Sequence, residues 1–136
     1  MERLFLDTNL LLDFVLDRKP FSDHTEEILA LKYTQKKKLF TSALSIANVA
    51  YVVRKAGKNP FTTVEDLFDW VEIVNLTKAE LKSSVKSTFK DFEDAIQYYS
   101  AQSIQADVII TRDIKDFATS AILVQSPIQF LRFVNK

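Results

Sequence analysis

The sequence predicts an α/β fold, a three-layer α/β/α sandwich with a mainly parallel central sheet. Strand-length apolar runs alternate with helical stretches from one end of the chain to the other, the pattern that successive βαβ units produce. The runs are continuously apolar rather than alternating, as strands are when helices cover both faces of their sheet. No internal repeat, low-complexity tract or Pro/Gly/Ser linker interrupts the 136 residues, so residues 1–136 are expected to form one domain.

Arg3 to Leu6 is expected as a short buried strand, followed by an apolar helix from about Thr8 to Leu16. Pro20 opens a second helix with apolar positions at Ile28, Leu29 and Leu31, because proline's fixed φ suits a first helical turn. Lys36 to Lys38 marks a turn, Leu39 to Thr41 a second strand, and Ile46 to Lys55 a helix. Gly57 ends that helix, since its missing Cβ suits a left-handed cap. A helix near Val64 to Trp70 and a strand at Glu72 to Val74 follow. Thr77 and Glu80 have the spacing of a capping box and open another helix. The helix at about Asp91 to Gln105 repeats Phe92, Ala95, Ile96, Tyr99 and Ser103 on one face. Asp107 to Ile110 and Ile122 to Val124 are further strands, and Pro127 starts a terminal helix through Phe133.

Scarce residue types narrow the chemistry. The chain has no Cys, which excludes disulfides, thiolate nucleophiles and cysteine zinc sites. A single His (His24) cannot build a paired-imidazole ribonuclease mechanism, and a single Gly (Gly57) cannot build GxGxxG or P-loop phosphate cradles. Lys plus Arg (18) balance Asp plus Glu (18), so a polyanion must be met by a local patch rather than by an overall basic field. The longest apolar stretches fall far short of the roughly 20 residues of a membrane span. The N-terminus lacks a secretory pattern, so a cytoplasmic protein without membrane attachment is expected. Carboxylates remain as the groups able to carry chemistry.

Ligands of open parallel sheets bind beyond the carboxyl ends of the strands. Asp7 follows the first strand directly, and Asp113 follows the strand around Val108 to Ile110 with only Thr111 and Arg112 between. Either acid alone is equally explained as the cap of the helix after it. Asp91 and Asp94 are three apart on one helix face, where acids in a first turn also complement the helix dipole. Asp116, three residues past Asp113, either joins the same site or faces water. The joint arrangement is harder to dismiss, because like charges brought together cost energy unless a cation compensates. With oxygen donors only, Mg²⁺ or Mn²⁺ is the fitting ion. Such ions activate water and stabilise charge in phosphoryl transfer.

Four segments stand in a familiar order: Asp7-Thr8-Asn9 after the first strand, Thr41 to Asn48 entering a helix, Asp91 to Ala95 opening a later helix, and Thr111 to Phe117 after the next strand. Together they resemble the PIN domain family, in particular its small stand-alone bacterial members similar to VapC-type toxins, and the resemblance spans nearly the whole chain. It implies a metal-dependent ribonuclease, the toxin of a toxin–antitoxin pair, whose acids gather one or two Mg²⁺ or Mn²⁺ ions in a groove at the sheet edge. Asp7, Asp94 and Asp113 match the family's catalytic, metal-holding acids, and Asp116 matches a further metal-binding acid. Asn9 and Thr111 match the polar supports that orient them. Asn48 departs from the pattern, standing where the family usually has a Glu, so the site is one charge short unless Asp91 or Glu93 supplies it. The implied reaction is in-line attack of water on a phosphodiester, leaving a 5′-phosphate and a 3′-hydroxyl without use of the 2′-hydroxyl. Implied partners are an RNA substrate, a small antitoxin that places a cation such as Arg among the carboxylates, and a second copy of the chain in a homodimer.

Arg112 and Lys115 lie beside the acids and are the candidates for phosphate contact. Lys36 to Lys38, with Arg54, Lys55 and Lys58, form either a basic patch for RNA or a solvated turn and helix-end cations. His24 is expected at the surface, and Phe68, Trp70, Tyr98 and Tyr99 in the core or a subunit interface. A haloacid-dehalogenase-type phosphatase would need an Asp where Asn9 stands. A phosphoacceptor receiver would need a Lys at the end of its last strand, where Val124 to Pro127 has none. The alternative that stays open is a PIN-like scaffold, degraded at Asn48, that binds RNA or a protein without cutting.

Overall fold

The computed structural model describes residues 2–135. Along the chain run β1 (Arg3–Leu6), α1 (Thr8–Val15), α2 (Phe21–Thr34), β2 (Lys38–Ser42), α3 (Ala43–Lys55), α4 (Pro60–Leu67), β3 (Glu72–Val74), α5 (Lys78–Lys86), α6 (Phe92–Ser103), β4 (Val108–Ile110), a one-turn 3-10 helix (Ile114–Phe117), β5 (Leu123–Gln125) and α7 (Pro127–Val134). The strands form a five-stranded sheet in the order β3-β2-β1-β4-β5, with every neighbouring pair parallel. From the central β1 the chain winds outward through β2 and β3, then crosses to β4 and β5 on the other side. The carboxyl ends of β1 and β4 therefore flank the point where strand order reverses, the usual place for a crevice.

Alternate residues of a strand face opposite layers. Leu4 and Leu6 of β1, Leu39 of β2, and Val108 and Ile110 of β4 enter one core. There they meet Leu10 and Leu11 of α1, Ile28 and Leu29 of α2, Val49 and Val53 of α3, Leu67 of α4 and Phe130 of α7. Phe5, Phe40 and Ile109 enter the other core with Tyr98 and Ala101 of α6 and Phe117, and α5 packs against α6. This is the expected three-layer arrangement.

Some boundaries differ from the sequence expectation, and each difference has a local cause. Helix α3 starts at Ala43 rather than Ile46, because the Ser42 hydroxyl accepts the Ser45 N–H at 2.9 Å and caps it there. Helix α4 starts at Pro60 rather than near Val64, because Asn59 Oδ1 accepts from the Phe61 and Thr62 N–H groups at 2.8 and 3.3 Å, with Pro60 in the first turn. The capping box of α5 stands as expected, with the Thr77 N–H donating to Glu80 Oε1 at 2.8 Å. Helix α6 buries more than the expected stripe: Ala95, Ile96, Gln97, Tyr98, Ser100 and Ala101 are inside, while Phe92 is exposed. It is covered by the sheet on one side and by α5 on the other. Phe68 is exposed, whereas Trp70 packs edge-on against Phe14 and Tyr33. No helix among the described residues is long and apolar enough to cross a membrane.

Gly57 follows α3 at φ +83°, its N–H donating to the Arg54 carbonyl at 3.1 Å. Beyond Gly57 and its two chain neighbours, no atom of the described residues lies within 4 Å of where a Cβ would stand, so only the left-handed backbone penalises a side chain. Gly57→Ala is expected to cost about 1 kcal/mol, read as a lower urea midpoint at unchanged slope.

Candidate active site at the carboxyl end of the sheet

Asp7 leaves β1 with its N–H still bonded to the Ile110 carbonyl of β4 at 3.0 Å. This last rung holds the two strand ends together. The Asp7 carboxylate is buried and used at both oxygens: Oδ1 accepts the Thr8 N–H at 2.8 Å, and Oδ2 accepts the Thr111 hydroxyl at 2.8 Å. Thr111 gives its one hydroxyl proton to Asp7 and accepts the Asp113 N–H at 3.0 Å and, weakly, Asn9 Nδ2 at 3.5 Å. Asn9 Nδ2 also donates to Asp113 Oδ2 at 2.9 Å. Thr111 and Asn9 thus join Asp7 to Asp113.

The capping account divides among the acids. Asp91 is the cap of α6, its Oδ1 accepting the Asp94 N–H at 3.0 Å. Asp7 caps α1 with one oxygen and accepts the Thr111 hydroxyl with the other. Asp113 makes no side-chain capping bond to the short helix after it, and Asp116 is exposed on that helix. The Asp94 carboxylate accepts no hydrogen bond from the described residues and is left to its electrostatic surroundings.

Those surroundings disfavour negative charge. Burial pushes the Asp7 carboxyl above the usual carboxylate range, outweighing the bonds from Thr111 and Thr8, and the charges of Asp113 and Asp116 push the same way. Asp94 is pushed up to about 7, first by burial and then by Asp91, Asp116, Asp7 and Asp113. Asp7, Asp94, Asp113 and Asp116 therefore lie within mutual electrostatic reach. Among the described residues, no three His, Cys, Asp or Glu side chains converge to metal-holding spacing; the acids act on one another's charge without forming a preformed cage. The donor set still fits a hard divalent cation. It consists of carboxylate oxygens destabilised by one another, together with Asn9 Oδ1, a buried oxygen without a hydrogen-bond partner.

Asn48, where a Glu was the family expectation, faces an acid from the opposite helix: its Nδ2 donates to Glu93 Oε1 at 3.0 Å. Of the two acids that could supply the missing charge, Asp91 is engaged as a cap and Glu93 is the one Asn48 meets.

The basic residues redistribute. Arg112, expected to contact phosphate, is instead committed inward. Its Nε and Nη2 donate to Asp13 Oδ2 and Oδ1 at 2.8 and 3.1 Å, and its guanidinium lies 4.1 Å from the Phe21 ring centroid. The reason is Asp13, which α1 carries fully into the core and which needs a compensating cation. Lys115 is exposed on the 3-10 helix beside Asp116. Lys36 to Lys38 sit at the amino end of β2, and α3 runs back so that Arg54, Lys55 and Lys58 follow it to that same far end. Lys37 pairs there with Glu2 at 2.6 Å, and Lys58 Nζ donates to the Val15 carbonyl at 2.8 Å. That cluster stands away from the acids.

Sequence reasoning missed Asp13 and a buried polar group around Gln97. Both had a signal: an acid among the apolar positions of α1, and an amide within a run of α6 that is otherwise small or apolar.

A family model described as PIN domain matches residues 3–115. Ribonuclease VapC1 of Aquifex aeolicus is 27% identical over 135 residues, covering 95% of this chain and 93% of that protein. Among solved structures, a toxin–antitoxin complex from Klebsiella pneumoniae superposes with a TM-score of 0.71 at 24% identity, covering 91% of this chain and 97% of that one. VapBC2 from Rickettsia felis, bound to a DNA fragment from its promoter, superposes at 0.69 with 18% identity, covering 91% and 98%. The matched region takes in all the strands but β5 and every acid of the crevice except Asp116. The chain belongs to the PIN domain family.

Proposed function

We propose that the chain is a divalent-metal-dependent endoribonuclease that hydrolyses RNA phosphodiester bonds, the toxin of a toxin–antitoxin pair. The observation that carries the reading is the gathering of acids at the carboxyl end of the sheet: Asp7 and Asp94, from different elements, are both held above the usual carboxylate range by burial and by neighbouring acids. A fold keeps such a cluster for a task, and a cation is the natural compensation. The Aquifex aeolicus relative named as a ribonuclease supports the activity. The Klebsiella pneumoniae toxin–antitoxin complex supports an antitoxin partner. Exposed Tyr51, Phe61 and Phe68 on and beside the packed pair α3 and α4 are consistent with a homodimer, which light scattering checks.

Asp7, Asp94 and Asp113 would hold Mg²⁺ or Mn²⁺, with Asp116 at the rim. When bound, the ion would neutralise the gathered charge, activate the attacking water and stabilise the charge developing on the phosphate. The chain's own residues do the positioning. Thr111 and the Thr8 N–H fix both oxygens of Asp7, Asn9 fixes one oxygen of Asp113, and Asn48 holds Glu93 on the α3 side. Lys115 offers an exposed cation to the RNA backbone. No imidazole is needed.

The test is cleavage of a panel of single-stranded and structured RNAs by the chain freed of any bound partner. Cleavage is expected with Mn²⁺ or Mg²⁺, to be lost with EDTA or in Asp7→Asn, and to leave 5′-phosphate ends. Mn²⁺ should also raise the melting temperature, and more at pH 8 than at pH 5, because the acids must be ionised to bind it. Wild-type protein that cuts nothing on that panel is a binding scaffold instead.

A further inference from the structure

Gln97 lies one helical turn beyond Asp94 on α6 and is buried. Its amide is fully used: Nε2 donates to Thr8 Oγ1 at 3.0 Å and to Ser45 Oγ at 2.7 Å, and Oε1 accepts the Ser42 hydroxyl at 2.5 Å. Thr8 Oγ1 and Ser45 Oγ are 2.7 Å apart and share a hydrogen, and Ser42 also caps α3 through the Ser45 N–H. These partners come from three places: the first residue of α1, the end of β2 and the first turn of α3. Helices α1 and α3 belong to one layer and α6 to the other, so the amide ties the two layers together at the carboxyl end of the sheet. Thr8 in turn gives its N–H to Asp7 Oδ1. A continuous path therefore runs from Asp7 through Thr8 to Gln97 and up one turn to Asp94. Apolar packing is non-directional, whereas three hydrogen bonds fix both the reach and the rotation of a helix.

We infer that Gln97 is a positioning residue for the metal site: by bonding to Thr8, Ser42 and Ser45, it sets where Asp94 stands relative to Asp7. The inference rests on the proposed function. It assigns no contact with substrate or ion to Gln97.

The test measures Mn²⁺ binding to the full chain, by electron paramagnetic resonance of the free ion, well below the melting temperature. Gln97→Leu keeps the volume and removes every donor, while the three hydroxyls can still bond to one another. It is expected to fold and to bind Mn²⁺ more weakly by about tenfold or more, the usual size of losing an orienting partner. Ser100→Ala is the control. Ser100 is as buried on the same helix, but its hydroxyl has no partner, and this variant should bind Mn²⁺ as wild type does. A Gln97→Leu protein that melts earlier yet binds Mn²⁺ with unchanged affinity reduces Gln97 to a packing residue and overturns the inference. Should Gln97→Leu not fold, Ser45→Ala decides: weaker Mn²⁺ binding upholds the inference and wild-type binding overturns it. Wild-type protein that binds no Mn²⁺ fails the proposed function, and that outcome is separate because the inference is read only from variant against wild type.

Discussion

Arg112→Met is expected to destabilise the folded state by about 3 kcal/mol, the lower end of the cost of stranding one partner of a buried ion pair. Asp13 is fully buried, and Arg112 supplies two charge-assisted bonds to it from the loop between β4 and the 3-10 helix. Arg18 lies 3.8 Å from the same carboxylate and is partly exposed. It offers incomplete relief, which is why the lower end applies. The double replacement Asp13→Leu with Arg112→Met should recover most of the loss, because apolar side chains of similar volume commonly match a buried pair. Urea unfolding of wild type, both single variants and the double variant measures the coupling directly. Near-zero coupling would mean that Arg112 is a free surface cation, available to phosphate after all. The loop at stake carries Thr111 and Asp113, so the Arg112–Asp13 pair anchors the segment that bonds to Asp7.

This exchange of roles shows where the sequence was legible and where it was not. The fold could be read because its signals are local. Continuous apolar runs mark strands buried on both faces, and Thr77 with Glu80 or Pro127 marks a helix start. The placement of Asp7 and Asp113 followed from strand ends in a parallel sheet, which requires only the order of elements. Where boundaries slipped, the deciding group was a side chain whose second role was invisible in sequence: Ser42 and Asn59 are ordinary polar residues until their oxygens meet a backbone N–H. Arg112 failed for a longer-range reason. Its partner Asp13 lies 99 positions away, and nothing local distinguishes an arginine that faces solvent from one that neutralises a core carboxylate. Gln97 shares that blindness. Its three partners sit 52 to 89 positions upstream, and only the folded layers bring them to one amide. At Asn48 the sequence offers Asp91 or Glu93 as the compensating acid, and the fold distinguishes them, since Asp91 caps α6 while Glu93 accepts from Asn48.

Asp94→Asn should cut cleavage by at least the roughly 10–100-fold that loss of even an orienting group costs a metal site. The same variant should make the metal-free protein more stable at pH 8. The two effects share one cause. An Asp titrating at 3.8 in the unfolded chain is held at about 7 in the folded one, by burial first and by Asp91, Asp116, Asp7 and Asp113 after it. Between those values the folded state binds the extra proton, so stability falls as pH rises through the window, and the penalty is complete above the upper value. Asparagine carries no such penalty. The melting temperatures of variant and wild type should nearly coincide around pH 4 and separate in the variant's favour by pH 8. The gain will be modest because the side chain is only half-buried and water screens part of the repulsion. No hydrogen bond among the described residues is lost in the exchange, since the Asp94 carboxylate accepts none. Asp7→Asn is a less clean comparison, because Asp7 accepts bonds at both oxygens and an amide offers only one acceptor. Saturating Mn²⁺ should reverse the order, since a bound cation turns the repelling acids of wild type into its ligands. If Asp94 served only the dipole of α6, the substitution would instead cost about 0.3–1 kcal/mol at neutral pH and leave cleavage intact. Melting curves at pH 4, 6 and 8, with and without Mn²⁺, separate the two accounts by the sign of a single difference.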